Sequence, residues 1–178
     1  KGWISNCWKK GFKYLKLSKN NLVVDIGSND GNLLSYFDKL GCRTIGIEPT
    51  KTYKIANDLG IKTYKDFFSE KIVKKIITKH GRSKLITATN VFAHMSSLGE
   101  VMRGIVALMN NNSYFVFENH YLDSVISSLQ YDTFYHEHLR TYSLHSLSRL
   151  FKAYNLSLFD AYRVPRYGGS IRCFVSNK

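Results

Sequence analysis

The feature that most constrains this chain is the stretch at 22–37, LVVDIGSNDGNLLSYF. It opens on Leu22-Val23-Val24, an apolar run rich in β-branched residues and too short for a helix, so it reads as a buried parallel strand. The strand runs into Asp25-Ile26-Gly27-Ser28-Asn29-Asp30-Gly31. Glycines and short polar residues there permit a tight turn and close approach of a ligand to the backbone. Leu33, Leu34, Phe37 and Leu40 then recur at helical spacing. Strand, glycine-rich turn and helix form the opening unit of a nucleotide-binding α/β fold. The glycines are spaced Gly27-x-x-x-Gly31, which is not the G-x-G-x-x-G cradle, and no Lys-Ser/Thr follows as in a P-loop.

A chain of 178 residues suffices for one domain with a sizeable core, burying roughly 70% of its unfolded surface. Hydrophobic residues at 44% and aromatics at 14% make it globular rather than disordered. No apolar run approaches the ~20 residues of a membrane span and no signal peptide heads the chain, so no membrane partner is expected. Cys7, Cys42 and Cys173 lie far apart without a C-x-x-C pair. A reducing, cytoplasmic setting without disulfides is the expectation. The chain opens at Lys1 without Met and stops soon after a strand-like segment at 171–175, which reads as a piece of a longer protein. Its formal net charge is +13. Nucleic acid is one partner such a charge suits. The lysines, however, are scattered in pairs (Lys9-Lys10, Lys74-Lys75) with no arginine-rich tract, so a solvated basic surface and no specific nucleic acid are expected. A positive field also favours an anionic small substrate.

Taken in order, 1–20 reads as an N-terminal helical segment with Trp3, Cys7, Trp8, Phe12 and Leu15 near one face. The remainder, 21–178, reads as one domain. Strands are expected at 22–26, 43–47, 61–64, 84–89 and 113–118. Helices are expected at 33–40, after Pro49 to about 59, at 69–80, at 98–109, after Tyr121 to about 131, and at 146–154. Asn110-Asn111-Asn112 reads as a turn. Five alternations of strand and helix imply a mostly parallel central sheet covered on both faces. The segments 156–163 and 170–175 close the chain as an antiparallel pair.

Ligands of open α/β sheets lie at the carboxyl ends of the strands. There the chain places Asp25, Gly27, Ser28, Asn29, Asp30 and Gly31, then Glu48 and Pro49, then Asp66, Phe67 and Phe68, then Asn90 and Val91. A carboxylate at Glu48 can accept both hydroxyls of a ribose, and the Asp-Phe-Phe segment offers a polar edge and an apolar face to an adenine. Phe67 and Phe68 taken singly are more often core. An acidic residue at the end of the second strand also suits NAD, so Glu48 alone does not choose a cofactor. The loop does: Asp25, two residues before Gly27-x-x-x-Gly31, resembles motif I of the class I S-adenosylmethionine (SAM) methyltransferases. The resemblance implies SAM as cofactor and a Rossmann-like fold.

A second cluster is Phe134-Tyr135-His136-Glu137-His138, with His94, Glu118 and His120 as possible neighbours. Metal ligation is one reading, but H-E-H spacing is weak and neither a distant third ligand nor a cysteine set is evident, so no metal is expected. Satisfied histidines under a loop are another. Catalysis is the third: an imidazole titrating near 6.5 can remove a proton at neutral pH, and a carboxylate can orient it.

The combination VVDIGSNDG (23–31), IGIEP (45–49), DFF (66–68), NVFAHM (90–95), FENHYL (117–122), YDTFYHEHLRTYSLHSL (131–147) and YGGSIR (167–172) resembles the sugar C-methyltransferases that act on nucleotide-linked deoxy-4-ketosugars. That resemblance implies removal of the proton beside the ketone, stabilisation of the enolate, and attack of that carbon on the SAM methyl group. It assigns the base to His138, with Tyr135 and Glu137 lining the same site and His94 as the second histidine, polarising the keto oxygen. Asn119, His120, Tyr142, Gly168 and Gly169 become the substrate contacts. The family's cysteine-rich zinc segment and its second α/β domain have no counterpart in these residues, and Tyr167 stands where the family often has His. Two alternatives stay open: a SAM methyltransferase with another acceptor, RNA included, and a non-catalytic SAM- or nucleic-acid-binding remnant.

Overall fold

The computed structural model describes residues 15–165 and 168–177. The expected helix over Trp3, Cys7, Trp8 and Phe12, like Tyr167, therefore lies outside the described residues; Leu15 is described and buried. The elements are β1 (Leu22–Ile26), α1 (Asn32–Lys39), β2 (Arg43–Ile47), α2 (Tyr53–Asp58), β3 (Thr63–Tyr64), α3 (Glu70–His80), β4 (Ser83–Thr89), α4 (Leu98–Leu108), β5 (Met109–His120), α5 (Leu122–Ser127), α6 (Leu144–Ala153), β6 (Leu156–Val164) and β7 (Ser170–Asn177), with short 3₁₀ turns at Phe92–His94 and Tyr131–Thr133.

The strands form one seven-stranded sheet in the order β3-β2-β1-β4-β5-β7-β6. The first five are parallel, and β7 pairs antiparallel with both β5 and β6. This is the Rossmann-like methyltransferase architecture that the sequence leads one to expect. The chain runs outward from β1 to β3 and then returns to the other side of β1 at β4. Strand order reverses between β1 and β4, and a crevice opens at such a reversal.

Period-two alternation sorts the strands between two cores. Leu22, Val24 and Ile26 of β1 join a cluster with Ile72, Val73 and Ile76 of α3, Val101, Met102 and Ile105 of α4, and Leu147 and Phe151 of α6. Val23 turns to the other face, into a cluster with Leu15 and with Leu34 and Phe37 of α1. Phe92, just past β4, keys the first cluster: its ring lies 5.1 Å from Phe117, 5.5 Å from Tyr142 and 6.4 Å from Phe151. Among the described residues no helix is long and apolar enough to cross a membrane.

Three local expectations are corrected. The Asn110–Asn112 turn is a bulge inside β5. Ser83 pairs with Met109 and Leu85 with Tyr114, so the residues between stand out of the ladder, held by the bond from Asn110 N–H to Ser113 Oγ at 2.8 Å. The helix expected after Pro49 begins only at Tyr53, because the carboxylate of Glu48 takes the N–H of Thr50 at 2.9 Å. The helix expected to reach Tyr131 ends at Ser127 and is followed by Leu129 in the left-handed region, φ 53°.

Candidate functional site

Three cavities adjoin one another over the carboxyl ends of β1, β2, β4 and β5. The first, about 670 Å³, is lined by Asp25, Gly27, Ser28, Asn29, Asp30, Glu48, Pro49, Thr89, Asn90 and Val91 among others. The second, about 370 Å³, is lined by Gly27, Pro49, Asp66, Phe67, Phe68, Val91, His94 and Glu100 among others. The third, about 320 Å³, is lined by Asn90, His94, His120, Thr133, Tyr135 and His138. Gly27, Pro49 and Val91 are shared by the first two, Asn90 by the first and third, and His94 by the second and third. A ligand can therefore run continuously from the glycine turn to the histidines.

The glycine turn is set by backbone conformation. Gly27 and Gly31 have φ of 69° and 77°, and Asn29 and Asn90 have φ of 51° and 56°. Such angles suit glycine and, among side chains, asparagine. Gly31 lines neither cofactor-side cavity. It caps α1, and a Cβ there would lie 3.0 Å from that of Ala56. Glu48 is 6% exposed. Its Oε2 accepts the Asn29 N–H and its Oε1 the Thr50 N–H, both at 2.9 Å. Each oxygen keeps a lone pair for a hydroxyl donor. Ser28 Oγ and Thr89 Oγ1 are buried without a hydrogen-bond partner among the described residues. Phe67 is 75% exposed at the mouth of the second cavity, whereas Phe68 packs so tightly on α4 that a Cβ on Gly104 would meet its ring at 3.0 Å.

Asp25 is buried and takes the hydroxyl proton of Thr87 at 2.6 Å. Burial, with Glu48 adding to it, pushes its carboxyl up to about 7 against the pull of the Thr87 bond. A cationic group placed in the first cavity would offset that cost. Glu118, two strands over on β5, forms a buried ion pair with Arg172 at 2.5 Å; another bond from Arg172 runs to the hydroxyl of Tyr162 at 3.0 Å. It holds β5 to β7 and β6 rather than joining the histidines.

The third cavity brings together side chains from four places in the chain. His138 Nδ1 lies 2.8 Å from the carbonyl of Thr133. A carbonyl only accepts, so Nδ1 carries the proton and Nε2 of the neutral ring is the acceptor, 3.2 Å from the hydroxyl of Tyr135. His94 likewise donates from Nδ1 to the carbonyl of Glu137 at 2.8 Å. The rings of His94 and His120 lie 4.8 Å and 4.3 Å from that of His138. Among the described residues no three His, Cys, Asp or Glu side chains are arranged to hold a metal ion.

Of the expected substrate-side residues, Tyr135, His138, His94 and His120 line the cavity. Glu137 does not line it, and its backbone carbonyl takes the Nδ1–H of His94; the group that orients His138 is the Thr133 carbonyl, which sequence reasoning missed although Thr133 stands inside the Tyr-Asp-Thr-Phe-Tyr-His-Glu-His run. Asn119 is 1% exposed. Tyr142 is buried against Phe92, and burial pushes its phenol up to about 12. Gly168 and Gly169 line a separate cavity with Ser124 and Arg163. There Gln130 donates to the Gly168 carbonyl at 2.7 Å. Thr87 is a second residue missed, since a threonine in a buried strand gives no signal of the carboxylate it meets.

A family model described as "Methyltransferase domain" matches residues 5–160. The C-methyltransferase NovU of Streptomyces niveus is 35% identical over 161 residues, 90% of this chain; the chain spans 38% of that relative's length. Among solved structures, an S-adenosylmethionine-dependent methyltransferase from Clostridium acetobutylicum has a TM-score of 0.74 at 14% identity, covering 98% of this chain and 90% of its own. The 1,6-didemethyltoxoflavin-N1-methyltransferase of Burkholderia thailandensis, solved with S-adenosylhomocysteine, has a TM-score of 0.71 at 14% identity, covering 98% and 78%. With its sheet order and its crevice, the chain belongs to the SAM-dependent methyltransferases of the methyltransferase-domain family.

Proposed function

We propose that this protein transfers a methyl group to the carbon next to the ketone of a nucleotide-linked deoxy-ketosugar. The observation that carries the reading is the tautomer of His138: its Nδ1–H is tied to the Thr133 carbonyl, so its Nε2 is the acceptor nitrogen, held beside the Tyr135 hydroxyl among the residues that line the third cavity. An oriented imidazole acceptor beside an alkylation site suits proton removal from carbon. The 35% identity to a C-methyltransferase supports the same reaction class.

The residues present fit SAM. Ser28 Oγ and Thr89 Oγ1 offer donors to a carboxylate, Asp25 a carboxylate to an ammonium, Glu48 two acceptors to a ribose, and Asp66 with Phe67 an edge and a face to an adenine. SAM supplies an electrophilic methyl group on sulfur. His138 Nε2 takes the proton from the carbon beside the ketone. The oxygen that gains charge needs a donor; the Tyr135 hydroxyl lines that cavity, and the ring of His94 beside it donates there only as an imidazolium, because its Nδ1–H is given to the Glu137 carbonyl. Held in the crevice, SAM would supply its methyl group to the enolate carbon and keep the sulfur's bonding pair as a thioether, while His138 keeps the proton until solvent removes it.

Incubation with SAM and dTDP-4-keto-6-deoxyglucose, read by mass spectrometry, tests this. A product heavier by one methylene, with the new methyl on a carbon flanking the ketone, is expected. A product carrying the methyl group on oxygen or nitrogen overturns the reading.

A further inference from the structure

His120 ends β5 beside His138 and has no part in the proton transfer above. It is 8% exposed and its ring stacks on that of His138 with 29° between the planes. One ring nitrogen meets the backbone of Arg140. The other, Nε2, is sealed from bulk water and has no hydrogen-bond partner among the described residues. Burial, with His138 and His94 adding to it, pulls the imidazole down to about 4, so it is neutral at neutral pH. The neutral tautomer with its proton on Nδ1 leaves a lone pair on Nε2. A buried acceptor without a donor is costly and rarely tolerated. This one belongs to a side chain that lines the cavity of His94, Tyr135 and His138, so the missing donor belongs to what fills that cavity.

We propose that His120 is a specificity-determining contact whose Nε2 accepts a hydrogen bond from the sugar hydroxyl on the carbon flanking the ketone. The inference rests on the ketosugar reading above. Two imidazoles with centroids 4.3 Å apart can address neighbouring substituents of a single six-membered sugar ring. While His138 faces the carbon to be deprotonated, His120 reads the hydroxyl beside it. A site built to accept from a hydroxyl discriminates strongly against an analogue that lacks it, because its own acceptor is then left unpaired.

The test uses two probes, dTDP-4-keto-6-deoxyglucose and its 3-deoxy counterpart, with protein labelled with ¹⁵N at histidine. The first probe is expected to move the His120 Nε2 resonance upfield, as accepting a hydrogen bond does, and the 3-deoxy probe to leave it in place. Wild type is expected to prefer the hydroxylated sugar in kcat/KM by about tenfold or more. His120→Phe keeps a stacked ring without the acceptor; its preference is expected to fall to about twofold or less, with SAM affinity unchanged, and His120→Gln to restore part of it. If His120→Phe slows both sugars equally, or if the first probe moves His138 but not His120, the histidine is structural and the inference is wrong. If neither probe perturbs any of the three imidazoles, the ketosugar reading falls and takes the inference with it. Should His120→Phe fail to fold, the wild-type resonances still decide.

Discussion

A Cβ placed on Gly27 would lie 2.3 Å from Cγ1 of Val91. The turn after β1 and the turn after β4 thus interlock through a glycine, at the point where two cavities of the site meet. The sequence argument reserved Gly27 for approach of the ligand; the structure adds that a neighbouring side chain already occupies the space. Val91 is β-branched and stiff, so it cannot swing away. The φ of 69° adds a strain of roughly 1 kcal/mol for any side chain. Gly27→Ala should therefore lower the melting temperature and weaken SAM binding by more than tenfold. The double variant Gly27→Ala/Val91→Ala should recover stability in part. Unchanged SAM affinity by calorimetry in a folded Gly27→Ala protein would contradict this account.

The titration of Asp25 gives the site a pH dependence whose sign is fixed. Its carboxyl rises from 3.8 to about 7 on folding without ligand. Stability from this group is complete below about 4 and is lost as pH rises through about 7. His120 works in the opposite sense: its imidazole falls from 6.5 to about 4, so its contribution is present above 6.5 and is lost as pH falls through about 4. Asp25→Asn should remove the loss on the alkaline side, and His120→Phe the loss on the acid side. Because the SAM ammonium favours the carboxylate form of Asp25, SAM affinity should climb with pH up to about 7 in wild type and stay flat in Asp25→Asn. Chemical denaturation and calorimetry from pH 4 to 8 measure both.

Much of the cofactor side was legible because its signals are local. Gly27, Asn29 and Gly31 fall within five residues, and Glu48 follows a strand that must pair with β1. The substrate side was less so. His94, His120 and His138 come from three separate segments, and their meeting depends on β4 and β5 being neighbours. Tyr142 reads as polar in sequence, yet its ring belongs with Phe92 in the core, as packing of an aromatic body outweighs one hydroxyl. The contact of Gln130 with Gly168 spans 38 residues and leaves no periodic trace. The three asparagines read as a turn since nothing in their composition marks a bulge within a strand.

That Gln130–Gly168 contact predicts a remote effect on turnover. Gly168 has φ 72°, and a Cβ there would meet the Gln130 amide at 2.3 Å. The Gln130 carbonyl in turn accepts the Thr133 N–H at 3.2 Å, and Thr133 holds His138. The amide can swing aside, so Gly168→Ala should fold but lose the clamp. Misplacing a catalytic group by about 1 Å can cost as much as 100-fold. Turnover should fall by about tenfold or more in Gly168→Ala while SAM affinity holds. A fall in SAM affinity of the same size would place the effect in the global fold instead.

The base assignment is open to the most direct trial. His138 is oriented through Nδ1 by a backbone carbonyl, so no side-chain substitution removes its orienter, and Glu137→Gln should change turnover little. His138→Asn should lower turnover by about 10²–10⁴-fold, the usual contribution of a general base. SAM affinity should be nearly unchanged, since the first cavity is built from other strand ends. Tyr135→Phe removes the hydroxyl 3.2 Å from Nε2 and should slow the reaction without abolishing exchange. Exchange of the proton next to the ketone with deuterated solvent, followed without SAM, isolates the step proposed for His138. It should vanish in His138→Asn and survive in His94→Asn at a reduced rate, as the proposed place of His94 beside the keto oxygen requires. Wild-type exchange in His138→Asn together with none in His94→Asn would reverse the two roles.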